Sequence, residues 1–184
     1  MRGEYVEAVL AVAELIPPAQ VLSYGDIAAL LESGGPRQVG AVMSAHGSAV
    51  SWWRVIRASG CAPVCHGGRA LVHYRAEDTA LRGDTSDEAL AAASRTPSWR
   101  VDMAAARWNP SASEMDFIDV IAERLREADS VRLREADSVR LREADSVRLR
   151  EADSVRLREA DSVRLREADS AGDKMSVPRD GLEV

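Results

Sequence analysis

A chain of 184 residues is long enough for one domain plus a tail, and its formal net charge of −6 argues against generic nucleic-acid binding by the molecule as a whole. The charge is uneven: residues 1–100 hold 9 Arg against 10 acids, and 101–124 hold 2 Arg against 5 acids, so the N-terminal part is nearly neutral. No run approaches 18 apolar residues and no charged leader precedes a hydrophobic core, so no membrane span or signal peptide is expected; two cysteines then fit a reduced, cytoplasmic protein.

In chain order, residues 4–16 place Val6, Val9, Leu10, Val12, Ala13 and Ile16 at helical spacing, and Pro17-Pro18 ends that helix. Ser23 with Asp26 three residues on predicts an N-cap and a short helix through Leu31. Residues 32–35 make a turn. Pro36 suits a first helical position, and Val39, Val42 and Met43 carry a second helix to about Ala45. Two short helices joined by a glycine-bearing turn form a helix-turn-helix. A loop at 46–48 leads to an apolar strand or turn at Trp52 to Ile56. Glycine-punctuated loop follows, then a helix from about Arg69 to near Gly83, a polar and alanine-rich insert at 84–98, and a closing segment with Trp99 and Trp108.

From Leu125 the octad Leu-Arg-Glu-Ala-Asp-Ser-Val-Arg repeats as five complete copies, and a partial sixth ends at Ser170. Eight residues turn an ideal helix by about 800°, so the apolar positions drift about 80° per repeat and no straight heptad seam forms. Charges at i,i+3, such as Arg126 with Asp129, support an exposed helix, with disorder as the alternative.

Trp52 and Trp53 are adjacent indoles in a chain poor in aromatics. As residues alone, they read as core side chains on alternate faces of a strand. Their context reads Ser23-Tyr24-Gly25-Asp26-Ile27-Ala28, then Gly35-Pro36-Arg37-Gln38-Val39-Gly40-Ala41-Val42-Met43, then Trp52-Trp53-Arg54-Val55-Ile56. In that order and at about those spacings, residues 4 to 108 resemble the C-terminal DNA-binding domain of O6-alkylguanine-DNA alkyltransferases, and more closely the alkyltransferase-like proteins that lack the reactive cysteine. The active-site pattern of the family is Pro-Cys-His-Arg-Val; alkyltransferase-like proteins carry Pro-Trp-His-Arg-Val, and a short subgroup carries Pro-Trp-Trp-Arg-Val. Here Ser51, Trp52 and Trp53 stand at the proline, cysteine and histidine positions.

The resemblance implies a mainly α fold with a short strand or hairpin element. It divides into a helix-turn-helix, winged-helix-like DNA-binding domain over 1–110, a linker or helix over 111–124, a low-complexity tail over 125–170 and a disordered terminus over 171–184. It also implies roles. Arg37 matches the recognition-helix arginine that fills the stack behind a flipped nucleotide, a task suited to a planar donor. Tyr24 matches the tyrosine that crowds the 3′ phosphate of the target. Trp52, Trp53, Arg54 and His66 would line the lesion pocket, with Arg54 equally suited to an internal pairing. An indole carbon cannot accept an alkyl group as a thiolate does, so alkyl transfer is not expected. Glu77 falls where the family completes its thiol relay and, without a thiol, becomes a structural hydrogen-bonding group. Cys61, Cys65 and His66 lie close in sequence but fall short of a four-ligand zinc set.

The expectation is a monomeric, non-enzymatic sensor of O6-alkylguanine in double-stranded DNA, cytoplasmic and nucleoid-associated, with no cofactor or metal. It would hand lesions to nucleotide excision repair proteins. The alternatives are a helix-turn-helix protein without lesion specificity and, more remotely, a thiol alkyltransferase acting through another cysteine.

Overall fold

The computed structural model describes residues 2–63, 65–88 and 98–172. Packing divides the chain into two units, Met1–Ser130 and Val131–Val184.

In the first unit, α1 (Gly3–Leu15) buries Tyr5, Ala8, Val9, Val12 and Ala13, a stripe at three- and four-residue spacing. Pro17 and Pro18 follow, as the sequence requires of a helix stop. β1 (Leu22–Ser23) leads directly into α2 (Tyr24–Leu30). Ser23 caps α2 in a full capping box: the Asp26 N–H donates to Ser23 Oγ at 3.1 Å, and the Ser23 N–H donates to Asp26 Oδ2 at 2.8 Å. Residues 31–35 turn the chain, with Gly34 left-handed, into α3 (Pro36–His46), which starts on Pro36 and buries Val39 and Val42. This is the helix-turn-helix read from the sequence.

A 3-10 turn at Gly47–Ala49 and a second at Trp52–Arg54 lead into β2 (Val55–Ile56), which pairs parallel with β1, Leu22 beside Val55 and Ser23 beside Ile56. That small pair separates two cores. Leu22 and Val55 face a core built from the first three helices, with Trp108, Ile118 and Leu125. Val21 and Ile56 face a second core of Ala62, Ala70, Leu71, Tyr74, Trp99, Val101 and Ala106. The period of two along an extended chain is what sends neighbours to opposite cores.

α4 (Gly67–Ala76) ends sooner than the periodicity suggests. Asp78 takes a left-handed φ of 56°, and residues Leu81–Gly83 form β3, antiparallel to β4 (Trp99–Val101). The expected continuation to Gly83 is therefore corrected: Leu81 and Val101 pair across a ladder that a helix could not make. This strand pair is the short β element of a mainly α, winged-helix-like fold. Of the 84–98 insert, residues 89–97 lie outside the described residues, as do 173–184 of the expected disordered terminus.

After α5 (Met103–Ala106) the chain closes the domain. The Val21 N–H donates to the Ala106 carbonyl at 2.8 Å, and the Trp108 N–H donates to the Val21 carbonyl at 2.9 Å. α6 (Ala112–Gly172) begins where a linker or helix was expected; its Ile118, Ala122 and Leu125 are almost wholly buried, and Arg126 pairs with Glu32 at 2.7 Å. Arg126 also pairs with Glu123, and Asp129 pairs with Arg2. The compact unit thus runs twenty residues past the 110 boundary, to Ser130. The apolar spacing Ile118, Ala122, Leu125 is helical, and the octad masks its last member.

In the second unit the helix is solvated. Val139, Leu141, Val147 and Leu149 are exposed, with no buried stripe among the described residues, as the drift of the octad demands. Ser138 and Ser146 each donate their hydroxyl to the carbonyl three residues earlier at 2.8 Å, and Asp145 and Asp153 lie 4.0 Å from Arg148 and Arg156.

Candidate functional site

A cleft of about 490 Å³ opens between α2, α3, the Trp52 turn and the start of α4. Tyr24, Met43, Trp52 and His66 form its apolar and aromatic walls, and Arg57 and Arg69 reach its edge. Glycines make the space: a Cβ on Gly47 would fall 3.2 Å from Met43 Cε and 3.5 Å from Trp52 Cβ. Tyr24 is half-buried at the base of α2. Burial raises its phenol above the ordinary value, against the pull of the Arg57 charge, so it stays a neutral donor at physiological pH.

Trp52 is half-buried and meets three rings edge-on: His66 at 5.4 Å and 72°, Trp53 at 6.0 Å and 88°, His73 at 6.2 Å and 84°. The Arg69 guanidinium sits 5.8 Å from its ring centre. These contacts fix the indole as one wall of the cleft. The core reading on alternate strand faces is corrected, because Trp52–Arg54 is a 3-10 turn and neither indole is buried outright.

Trp53 turns the other way. Its ring stacks flat on His73, 3.7 Å between centres and 4° between planes, and its Nε1–H donates to Glu77 Oε1 at 2.9 Å. Its carbonyl accepts the buried Tyr74 hydroxyl at 2.6 Å. Arg54 lies beside it, donating from Nε and Nη2 to Glu77 at 2.7–3.2 Å and from Nη1 to the Ile16 carbonyl at 2.7 Å. Glu77 Oε2 also accepts the Ala19 N–H at 3.3 Å. One carboxylate therefore ties together the Trp52 turn, the end of α1 and the end of α4. Burial alone would raise its pKa; the bonds from Arg54, Trp53 and the Ala19 amide, with the Arg54 charge, outweigh that and hold it below the ordinary glutamate value.

Of the six residues expected at the site, Tyr24, Trp52 and His66 share the cleft. Trp53 and Arg54 do not line it; a better offer of hydrogen bonds at Glu77 draws both away, and the internal pairing of Arg54 is the one formed. Arg37 stands exposed on the first turn of α3, outside the cleft lining, and pairs with no carboxylate among the described residues. Sequence reasoning passed over Arg57, Arg69 and His73. Residues 66, 69, 73 and 77 recur at helical spacing along α4, the signal that could have grouped them. Cys61 and Cys65 are both free and exposed.

Residues 4–77 match the family model of the 6-O-methylguanine DNA methyltransferase DNA-binding domain. Over that segment, which is under half of the chain, the protein is similar to that family. The matched segment begins in α1 and ends on Glu77, the carboxylate that holds the turn. No curated protein matches the chain. Two solved structures from S. pombe are similar: Atl1 in complex with damaged DNA containing O6-carboxymethylguanine, and ATL in complex with DNA. Each is 23% identical, covers 60% of this chain and 100% of its own, and has a TM-score of 0.46.

Proposed function

We propose that this protein is a non-enzymatic sensor that binds O6-alkylguanine in duplex DNA, turns the base into the cleft and marks it for repair by nucleotide excision. The observation that carries the reading is Trp52: at the position of the family's nucleophile it presents an indole wall to a cleft shared with Tyr24 and His66. An indole packs well against an alkylated purine and has no thiolate with which to displace the alkyl group. Arg37, exposed at the head of α3, is suited to enter the base stack, where its planar donors would meet the orphaned base. Residues 1–100 are nearly neutral, with 9 Arg against 10 acids, so this segment carries little net repulsion toward DNA.

The test is affinity for an O6-methylguanine duplex against a matched undamaged duplex at one salt concentration, since binding through phosphates makes affinity steeply salt-dependent. Tighter binding of the damaged duplex is expected. Equal affinity leaves a helix-turn-helix protein without lesion specificity. Intact mass after incubation with the damaged duplex should be unchanged; a gain of one methyl group on Cys61 or Cys65 would make the protein an alkyltransferase.

A further inference from the structure

We propose that Arg57 and Arg69 form an anion subsite at the cleft and that its ligand is a backbone phosphate of the nucleotide turned into it. This rests on the lesion-sensor reading, and concerns two residues to which that reading gives no role.

Among the described residues no Asp or Glu borders the cleft, whereas Arg57, Arg69 and His66 do. The contrast with the rest of the unit is what gives this weight. Arg2, Arg54, Arg75, Arg82, Arg107 and Arg126 each hold a carboxylate. Arg57 and Arg69 hold none among the described residues, although both are exposed in a chain with an excess of acids. Arg37, Arg100 and Arg124 share that state but lie outside the cleft lining. Two guanidinium groups bordering one concave surface, with no carboxylate beside them, favour an anion there.

The surroundings supply further donors. The cleft includes Ser44, Ser48 and the neutral Tyr24 phenol, and Tyr24 is close enough to Arg57 to feel its charge. α4 is ten residues long, its N-terminus lies at the cleft through His66 and Arg69, and no described side chain caps it. The unbonded amides and positive end of a helix dipole favour an oxyanion there. A guanidinium fork fits phosphate oxygens in pairs. A nucleotide rotated into the cleft brings a phosphate with it, so the ligand need not be a separate molecule.

The experiment compares the wild type with Arg57→Gln, Arg69→Gln and the double variant, all substitutions at exposed positions, with thermal melts to establish folding. Affinity is followed against salt on four duplexes: undamaged, O6-methylguanine, O6-carboxymethylguanine, and O6-methylguanine with a neutral methylphosphonate at the adjoining phosphate. The salt slope of the double variant should fall by roughly 0.9, the value for one phosphate that is no longer neutralised. The methylphosphonate should weaken the wild type and leave the double variant unaffected. A double variant that keeps the wild-type slope and the wild-type sensitivity to methylphosphonate overturns the proposal. So does a weakening confined to a duplex bearing a negatively charged carboxymethyl adduct, which would mean that the arginines read the adduct. Equal wild-type affinity for damaged and undamaged DNA refutes the lesion reading alone, because the slope on undamaged duplex still judges the arginine pair.

Discussion

Glu77→Ala should destabilise the first unit by about 3–5 kcal/mol, the range for stripping one partner from a buried ion pair. The side chains of Arg54 and Glu77 are only 14% and 13% exposed. Without the carboxylate, Arg54 keeps a single acceptor, the Ile16 carbonyl, and the Trp53 Nε1–H and Ala19 N–H lose the partner they have. Ala19, Trp53 and Arg54 are half-buried, so each donor so orphaned costs about 1 kcal/mol, the low end for a buried group, and the three together reach the lower end of the range. For a domain of this size, the melting temperature should drop by roughly 3–5 °C per kcal/mol. Glu77→Gln, which keeps shape and one acceptor oxygen, should lose less. The pH dependence separates charge from shape. The folded pKa of Glu77 lies below its ordinary value, so its contribution is present above the unfolded pKa and fades as pH falls through the folded one. Thermal melts from pH 7 down to about 3 should show a steeper acid loss in the wild type than in Glu77→Gln. A melting temperature for Glu77→Ala within about 2 °C of wild type, or parallel acid slopes, would refute the clamp.

Truncation after Ser130 should leave the melt and the preference for damaged duplex unchanged, whereas ending the chain at Ser113 removes Ile118, Ala122 and Leu125 from the core and should abolish the cooperative melt; calorimetry of the two forms decides. Arg37→Ala should weaken binding to damaged duplex by about 1–3 kcal/mol, read by fluorescence anisotropy, with little change in melting temperature because the residue is exposed and holds no carboxylate among the described residues. Gly60→Ala should destabilise strongly in denaturant titration: Gly60 has φ 78°, and an added Cβ would lie 2.2 Å from the Val101 carbonyl oxygen, which is backbone and cannot swing aside.

The helix-turn-helix was legible because its signals are local: Ser23 with Asp26 cap one helix, Pro36 opens the next, and Val39 and Val42 mark the buried face. The cleft was half legible. Tyr24, Trp52 and His66 could be brought together by ordered motifs, but the opposite facing of Trp52 and Trp53 depends on a 3-10 turn and on a carboxylate twenty-four residues away. Nothing in the dipeptide encodes which indole reaches it. The resemblance implied a short strand or hairpin element, but its place at β3–β4 escaped, because a three-residue strand with one half-buried and two exposed residues leaves little periodicity to read. The end of the compact unit escaped for a different reason: Leu125 opens the repeat in sequence and closes the core in space.

The serine-to-carbonyl bonds and short-range charge pairs of the octad have a bearing on its history. Beyond Ser130 these side-chain contacts lie within one copy, Ser146 on the Glu143 carbonyl and Arg148 beside Asp145, and only the backbone ladder runs from copy to copy. Copy number is then a variable that the folded domain does not sense, and slippage during replication can lengthen or shorten the tract in frame without a penalty in folding. Relatives that differ only in the count of octads should melt alike, and should be told apart by how slowly they diffuse.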